Sequence, residues 1–261
     1  MERAGAEFRM ASAIIDNITR VRERMAAACR RAGRRAEDVR LVAISKTVPP
    51  ERIRDAYEAG LREFGENRVQ EARAKRAALA DLPITWHLVG HLQSNKARAA
   101  CELFDRIDSI DSARLAQKLD AALLPGAADG EASRDPTGAN EAGAVRSPGR
   151  LPVLIEINLG GEAAKSGVEE SAALELARQV GRLATLELRG LMLVPPFFED
   201  PAAARPYFFR LRELAKVIDS ARLPGVRMDE LSMGMSHDFE TAIEEGATQV
   251  RVGTAIFGPR S

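Results

Sequence analysis

From Ala11 to Ala32 the apolar residues Ile14, Ile15, Ile18, Val21 and Met25 recur at three- and four-residue spacing. That period predicts an amphipathic helix, ended by Gly33. The pattern then changes to short apolar runs rich in β-branched residues. LVAIS (41–45) reads as a strand, and Pro49-Pro50 opens a helix that runs to Ala59 and stops at Gly60. The same alternation continues to the end of the chain. Strands are predicted over 62–65, 84–90, 104–110, 151–158, 186–194, 228–233 and 248–253, with helices between them over 67–80, 94–102, 112–123, 168–183, 201–220 and 237–245.

Eight strand signals alternating with helices imply parallel strands joined by helical crossovers. Within 261 residues that rhythm is the size of a (β/α)8 barrel of the TIM type, with all of 1–261 in one domain. An open doubly wound sheet is the alternative, but no Gly-rich GxGxxG turn follows the first strand. After the eighth strand only TAIFGPRS remains, too short for a full final helix. The extra N-terminal helix has no strand before it and is expected to fill that gap in the outer ring. Residues 125–150 break the rhythm with five Gly, three Pro, six Ala and one larger aliphatic residue, Val145. Such a segment buries too little apolar surface to offset its ordering entropy, so a flexible insertion is expected there.

Composition narrows the classes of partner. The chain carries 38 basic and 38 acidic residues and is 45% hydrophobic. Zero net charge argues against a nucleic-acid binder that relies on bulk electrostatics. No apolar run is long enough to span a membrane, and the N-terminus lacks the apolar segment of a signal peptide. Cys29 and Cys101 stand far apart with no CxxC pair, so neither a disulfide framework nor structural zinc is expected, and the cytoplasm is the default compartment. His87 and His91 are four apart but on strand-like flanks, and no HExxH, GxSxG or Walker-type loop occurs; no metal is expected.

In a barrel of this kind, chemistry sits where strands end and the following loops begin. Those positions hold Lys46, Glu66-Asn67, His87 to His91, Asp108-Ser109, Asn158, Met192, Ser232 to Ser236, and Arg251 to Thr254. Only six lysines are present (Lys46, Lys75, Lys96, Lys118, Lys165, Lys216), and Lys46 alone ends a predicted strand. Partial desolvation there lowers an amine's pKa and suits Schiff-base chemistry; an ion pair with Glu66 or Glu156 is the competing role. In ELSMGMSHDF, Gly234 admits close backbone approach, and Ser236 is placed to cap the next helix. Together with the hydroxyl of Ser232, the exposed N–H groups of that helix start suit a phosphate. An ordinary capped helix is the plainer account. Gly253 and Thr254 follow the eighth strand, the other frequent phosphate position of this fold. Arg251, between Val250 and Val252, points either into the mouth or toward the helices.

LVAISKTVP, FGENRVQE, WHLVGHLQSNK, INLGGEAAKSGV, GLML, LSMGMSHDFETAI and RVGTAIFG occur in order along the chain. Together they resemble the pyridoxal phosphate homeostasis proteins, single-domain relatives of the N-terminal barrel of alanine racemase. The resemblance implies that pyridoxal 5′-phosphate (PLP) is held as a Schiff base on Lys46. It assigns Ser232, Gly234, Met235, Ser236, Gly253 and Thr254 to the phosphate side, Arg251 to the pyridine nitrogen and Asn67 to cofactor binding. Lys165 resembles a loop lysine linked to cofactor transfer. His91 stands where relatives often carry proline, and 125–150 is unusually long. The implied function is a monomeric, non-catalytic PLP carrier with transient contacts to PLP-dependent apo-enzymes. The alternative is an amino-acid racemase, which needs a second acid–base group of the kind relatives supply as a tyrosine from an added domain.

Overall fold

The computed structural model describes residues 2–124, 149–160 and 166–259, with side chains from residue 13 onward. The 125–150 segment, except its last two residues, and Lys165 lie outside the described residues. Strands β1 (Arg40–Ile44), β2 (Glu63–Glu66), β3 (Thr85–Leu88), β4 (Arg106–Ile110), β5 (Leu151–Asn158), β7 (Leu186–Leu193), β8 (Val226–Met235) and β9 (Gln249–Val252) all pair in parallel. Their order runs β4-β3-β2-β1-β9-β8-β7-β5, and a β4–β5 pairing closes the ring. A two-residue strand, β6 (Val168–Glu169), extends β5 at its C-terminal end. The expected eight-stranded barrel therefore forms.

The helices are α1 (Glu2–Arg31), α2 (Pro50–Glu58), α3 (Val69–Ala78), α4 (Ala97–Leu103), α5 (Ala113–Leu123), α6 (Ala173–Gly181), α7 (Arg205–Ser220), α8 (Phe239–Glu244) and α9 (Thr254–Phe257). Helix α1 packs against α2, α8 and α9 through its buried stripe Ile14, Ile18, Val21 and Met25, so it covers the gap left by the single-turn α9. The helix expected over 168–183 instead begins with β6 and a short 3-10 turn at Glu170–Ala172 before α6. The Val168–Glu169 pair meets the open end of β5, and its backbone groups bond there rather than starting a helix.

Alternate residues of each strand face the helices and the barrel interior. The outward set (Phe64, Trp86, Ile107, Val153, Ile155 and others) joins one apolar cluster with the helices. Val42, Leu154 and Met192 are buried but stand apart from that cluster, inside the barrel. Much of the remaining interior is polar. At Gly190 a Cβ would fall 1.8 Å from the Glu230 carbonyl oxygen, so only glycine lets β7 and β8 approach there, where their register shifts.

Candidate functional site

Lys46 lies two residues beyond the end of β1, half-buried, as its strand-end position predicted. The chain turns sharply after it: Thr47 has φ +63°, outside the range most side chains favour. Both neighbours of Lys46 are held from α3. Lys75 donates from Nζ to the Ser45 carbonyl (2.6 Å), to Glu66 Oε1 (2.8 Å) and to Glu71 Oε1 (2.6 Å), and Glu71 in turn accepts the Thr47 N–H. Ser45 Oγ also donates to Glu66 Oε1 (2.6 Å). The partner of Glu66 is therefore Lys75, a residue the sequence reading placed in a helix without a role. Burial pushes the Glu66 carboxyl up, against the pull of Lys75 and Ser45. Lys46 shares a cleft with Ile44, Arg52, Gly253, Thr254 and Phe257.

Inside the barrel a continuous hydrogen-bonded chain crosses from β2 to β9. His87 lies between two carboxylates, with Nδ1 3.0 Å from Asp108 Oδ2 and Nε2 3.1 Å from Glu63 Oε2. Gln249 Nε2 donates to Asp108 Oδ2 (2.8 Å) and to Ser232 Oγ (2.9 Å). Arg251 donates from Nη1 to Ser232 Oγ (2.6 Å) and from Nη2 to the Leu193 carbonyl (2.8 Å). Arg251 thus faces the interior and not the helices, and Ser232 holds the guanidinium. Burial works against a charged imidazole, but the two carboxylates outweigh it and hold the His87 pKa above its ordinary value. Burial likewise raises Asp108, yet His87, Arg106 and Gln249 bring it down to about 2. Beneath this chain, Arg40 (2.5 Å) and Arg106 both meet the buried Glu230. His87 is therefore an interior residue and not a mouth residue beside His91. His91 sits at the rim, half exposed, with Nδ1 2.9 Å from Asp111 Oδ2.

The loop after β8 brings Ser236 beneath the end of β9. Ser236 Oγ accepts N–H groups from Gly253 (3.1 Å) and Ala255 (3.3 Å) at the start of α9. The N-cap position of α8 is held by Asp238 and not by Ser236; the Asp238 side chain makes no capping bond and instead accepts the Met235 N–H through Oδ1 (2.6 Å). Gly234 has φ +91°, and a Cβ there would lie 2.6 Å from the Ala242 side chain and 2.9 Å from Phe239 Cα. The close approach that requires glycine is thus to α8. Met235 is half-buried, Gly253 packs on β1 beside Ile44, and Thr254 is exposed in the Lys46 cleft.

Asn67, just past β2, is half-buried, and its backbone lies so close to Gly90 that a Cβ there would fall 2.6 Å from its carbonyl oxygen. Glu156 points inward from β5 near the mouth. Its carboxyl is raised to about 7, chiefly by burial and further by Asp111, against Arg251 and His91. Sequence reasoning missed Lys75, Glu63 and Gln249. The signal for the last two was their two-residue spacing from Gly65 and Arg251, on the strand faces opposite the apolar cluster.

Residues 11–261 match the family model for the alanine racemase N-terminal domain. A pyridoxal phosphate homeostasis protein of Aquifex aeolicus (strain VF5) is 42% identical over 245 residues, covering 94% of this chain and 97% of that protein. The structure of PipY from Synechococcus elongatus with PLP bound has a TM-score of 0.74 at 37% identity, covering 94% of this chain and 100% of that one. An alanine racemase from Corynebacterium glutamicum shares the fold, with a TM-score of 0.64 at 19% identity over 96% of this chain and 62% of that chain.

Proposed function

The chain belongs to the alanine racemase N-terminal domain family, among the pyridoxal phosphate homeostasis proteins, and from that premise we propose that it holds PLP at the barrel mouth. It would keep this reactive aldehyde scarce in solution and release it to PLP-dependent apo-enzymes. One observation carries the reading: the amine-bearing Lys46 and the Gly253–Thr254 backbone line one cleft.

The residues fit the ligand. Bound PLP supplies an aldehyde that condenses with a primary amine, and a phosphate that seeks N–H and O–H donors. Lys46 would provide the amine, fixed in place by the Lys75 and Glu71 contacts to the residues on either side of it. Because Ser236 Oγ accepts two N–H groups, its own proton is left to donate to a phosphate oxygen. Gly253, Thr254, Gly234 and Met235 would complete that side as backbone, and Asn67 would line the opposite rim. Arg251, anchored by Ser232 and the Leu193 carbonyl, would face the pyridine nitrogen. A guanidinium does not give up its proton, so that nitrogen would stay unprotonated and the ring would be a weak electron sink. This suits holding the cofactor better than driving carbanion chemistry.

Lys46→Ala tests the anchor. Borohydride reduction of the PLP-loaded wild type is expected to leave a pyridoxyl group on Lys46, and the variant is expected to show none. Equal trapping at Lys75 or Lys165 in the variant would move the site.

A further inference from the structure

Glu156 differs from three other buried acids, Glu66, Asp108 and Glu230. Glu66 is held by Lys75, Asp108 by His87, and Glu230 by Arg40 and Arg106. Glu66 Oε2 and Asp108 Oδ1 are also buried without a partner, but the second oxygen of each is bonded, to Lys75 and to His87. Glu156 Oε2 is buried without a partner, and no basic side chain bonds this carboxyl among the described residues. Arg251, a cation that acts on Glu156, directs its two Nη groups to Ser232 and the Leu193 carbonyl instead. Glu156 is 8% exposed, stands opposite Met192 of β7 in register, and lies two residues from the end of β5. It shares the inward face of that strand with Leu154, so the carboxyl points into the barrel near the C-terminal rim and not toward the helices.

A buried carboxylate with an unsatisfied oxygen is costly, whereas the neutral acid carries a donor that a ligand can satisfy. The charged groups acting on it are Arg251 from β9, Asp111 after β4 and His91 after β3. Asp111 opposes ionisation, Arg251 and His91 favour it, and burial decides the balance at about 7. A ligand seated over the mouth removes remaining water and disfavours the charged form further.

We propose that Glu156 contacts the ligand as the neutral acid, donating its carboxyl proton in a hydrogen bond to a polar substituent of the ring, so that retention of the ligand is linked to protonation of this residue. The inference rests on PLP being the ligand. A group whose pKa rises on binding strengthens binding below its free value and weakens it above.

The test uses pyridoxine 5′-phosphate, an alcohol that cannot bond covalently to Lys46. Its affinity is measured at pH 6 and pH 8 for the wild type and for Glu156→Gln, whose amide keeps a donor at every pH. Between these pH values the wild type is expected to lose up to about tenfold more affinity than the variant, the ratio for a site of pKa about 7 that binds only when protonated. Ionisation of the ligand's phosphate affects both proteins alike and cancels. On the wild type alone, infrared difference spectra at pH 7 are expected to gain a neutral-carboxyl band on binding. Parallel pH profiles, or no such band, would overturn the role of Glu156 while leaving the PLP reading intact. Failure of the wild type to bind either PLP or pyridoxine 5′-phosphate would overturn both.

Discussion

At Ser236 a single hydroxyl serves the fold and the proposed ligand together. Its oxygen satisfies two N–H groups at the start of α9, and its proton remains available for a phosphate. Ser236→Ala should therefore weaken binding of pyridoxine 5′-phosphate by tenfold or more, since a hydrogen bond to a charged group contributes about 1.5–3 kcal/mol. Loss of the cap should also lower the melting temperature by about 2–4 °C for each kcal/mol removed. Unchanged affinity with a lower melting temperature would leave Ser236 only its structural contacts. The same residue marks what a sequence yields at this scale. Ser236, Lys46 and Arg251 stand out because they end or follow strands, and the fold gathers such positions at one rim. Which N–H groups Ser236 satisfies was not legible, because α8 is its neighbour in sequence and α9 its neighbour in space. His87 failed for a related reason. A residue's depth in a barrel depends on the stagger between adjacent strands, and no local pattern encodes that stagger.

Elements were easier to read than their contacts. The run LPVLIEIN gives β5 its observed bounds because, apart from the inward Glu156, apolar residues fill it up to the polar Asn158. The two residues of β6 carry no periodicity at all and pair where β5 runs on past Ile155, its last residue paired with β4. Helix α3 shows how an element's inner face can hide a function. Its buried positions include Val69, Ala72 and Lys75, a helical stripe in which the lysine reads as a break. In the fold that lysine joins Ser45, Glu66 and Glu71 behind the Lys46 turn. Lys75→Met keeps the length of the side chain but strips the charge, leaving Glu66 buried without its cation. Removing one partner of a buried pair destabilises by about 3–5 kcal/mol, which urea unfolding at neutral pH would read. A loss below about 1 kcal/mol would mean that Glu66 simply takes up a proton and that the network does not brace β1.

The whole molecule sets the choice between carrier and enzyme. Eight strands close one barrel, and the interior that a packed TIM core fills with aliphatic side chains is here threaded by charge from Glu63 to Arg251. That chain of bonds fixes Arg251 from below, an arrangement suited to holding a ring still. A racemase needs more: one base to remove a proton on one face of the substrate and an acid to return it on the other. The chain has two tyrosines, Tyr57 in α2 and Tyr207 in α7, and both lie in the outer ring of helices, Tyr57 under the guanidinium of Arg62 and Tyr207 against Phe198. Among the described residues Lys46, Glu156, His91 and Asp111 are acid–base groups at the mouth, and none is a tyrosine set against the opposite face. Incubated with L-alanine in deuterated water, the PLP-loaded protein is expected to exchange the α-hydrogen slowly, with retention of configuration and without appreciable D-alanine. In the same buffer it should restore activity to a PLP-dependent apo-enzyme. Racemisation at ordinary enzymatic turnover, on the order of 1–10³ per second, would sink the carrier reading. It would also make Glu156, with its carboxyl near neutrality, the first residue to substitute in search of the second proton donor.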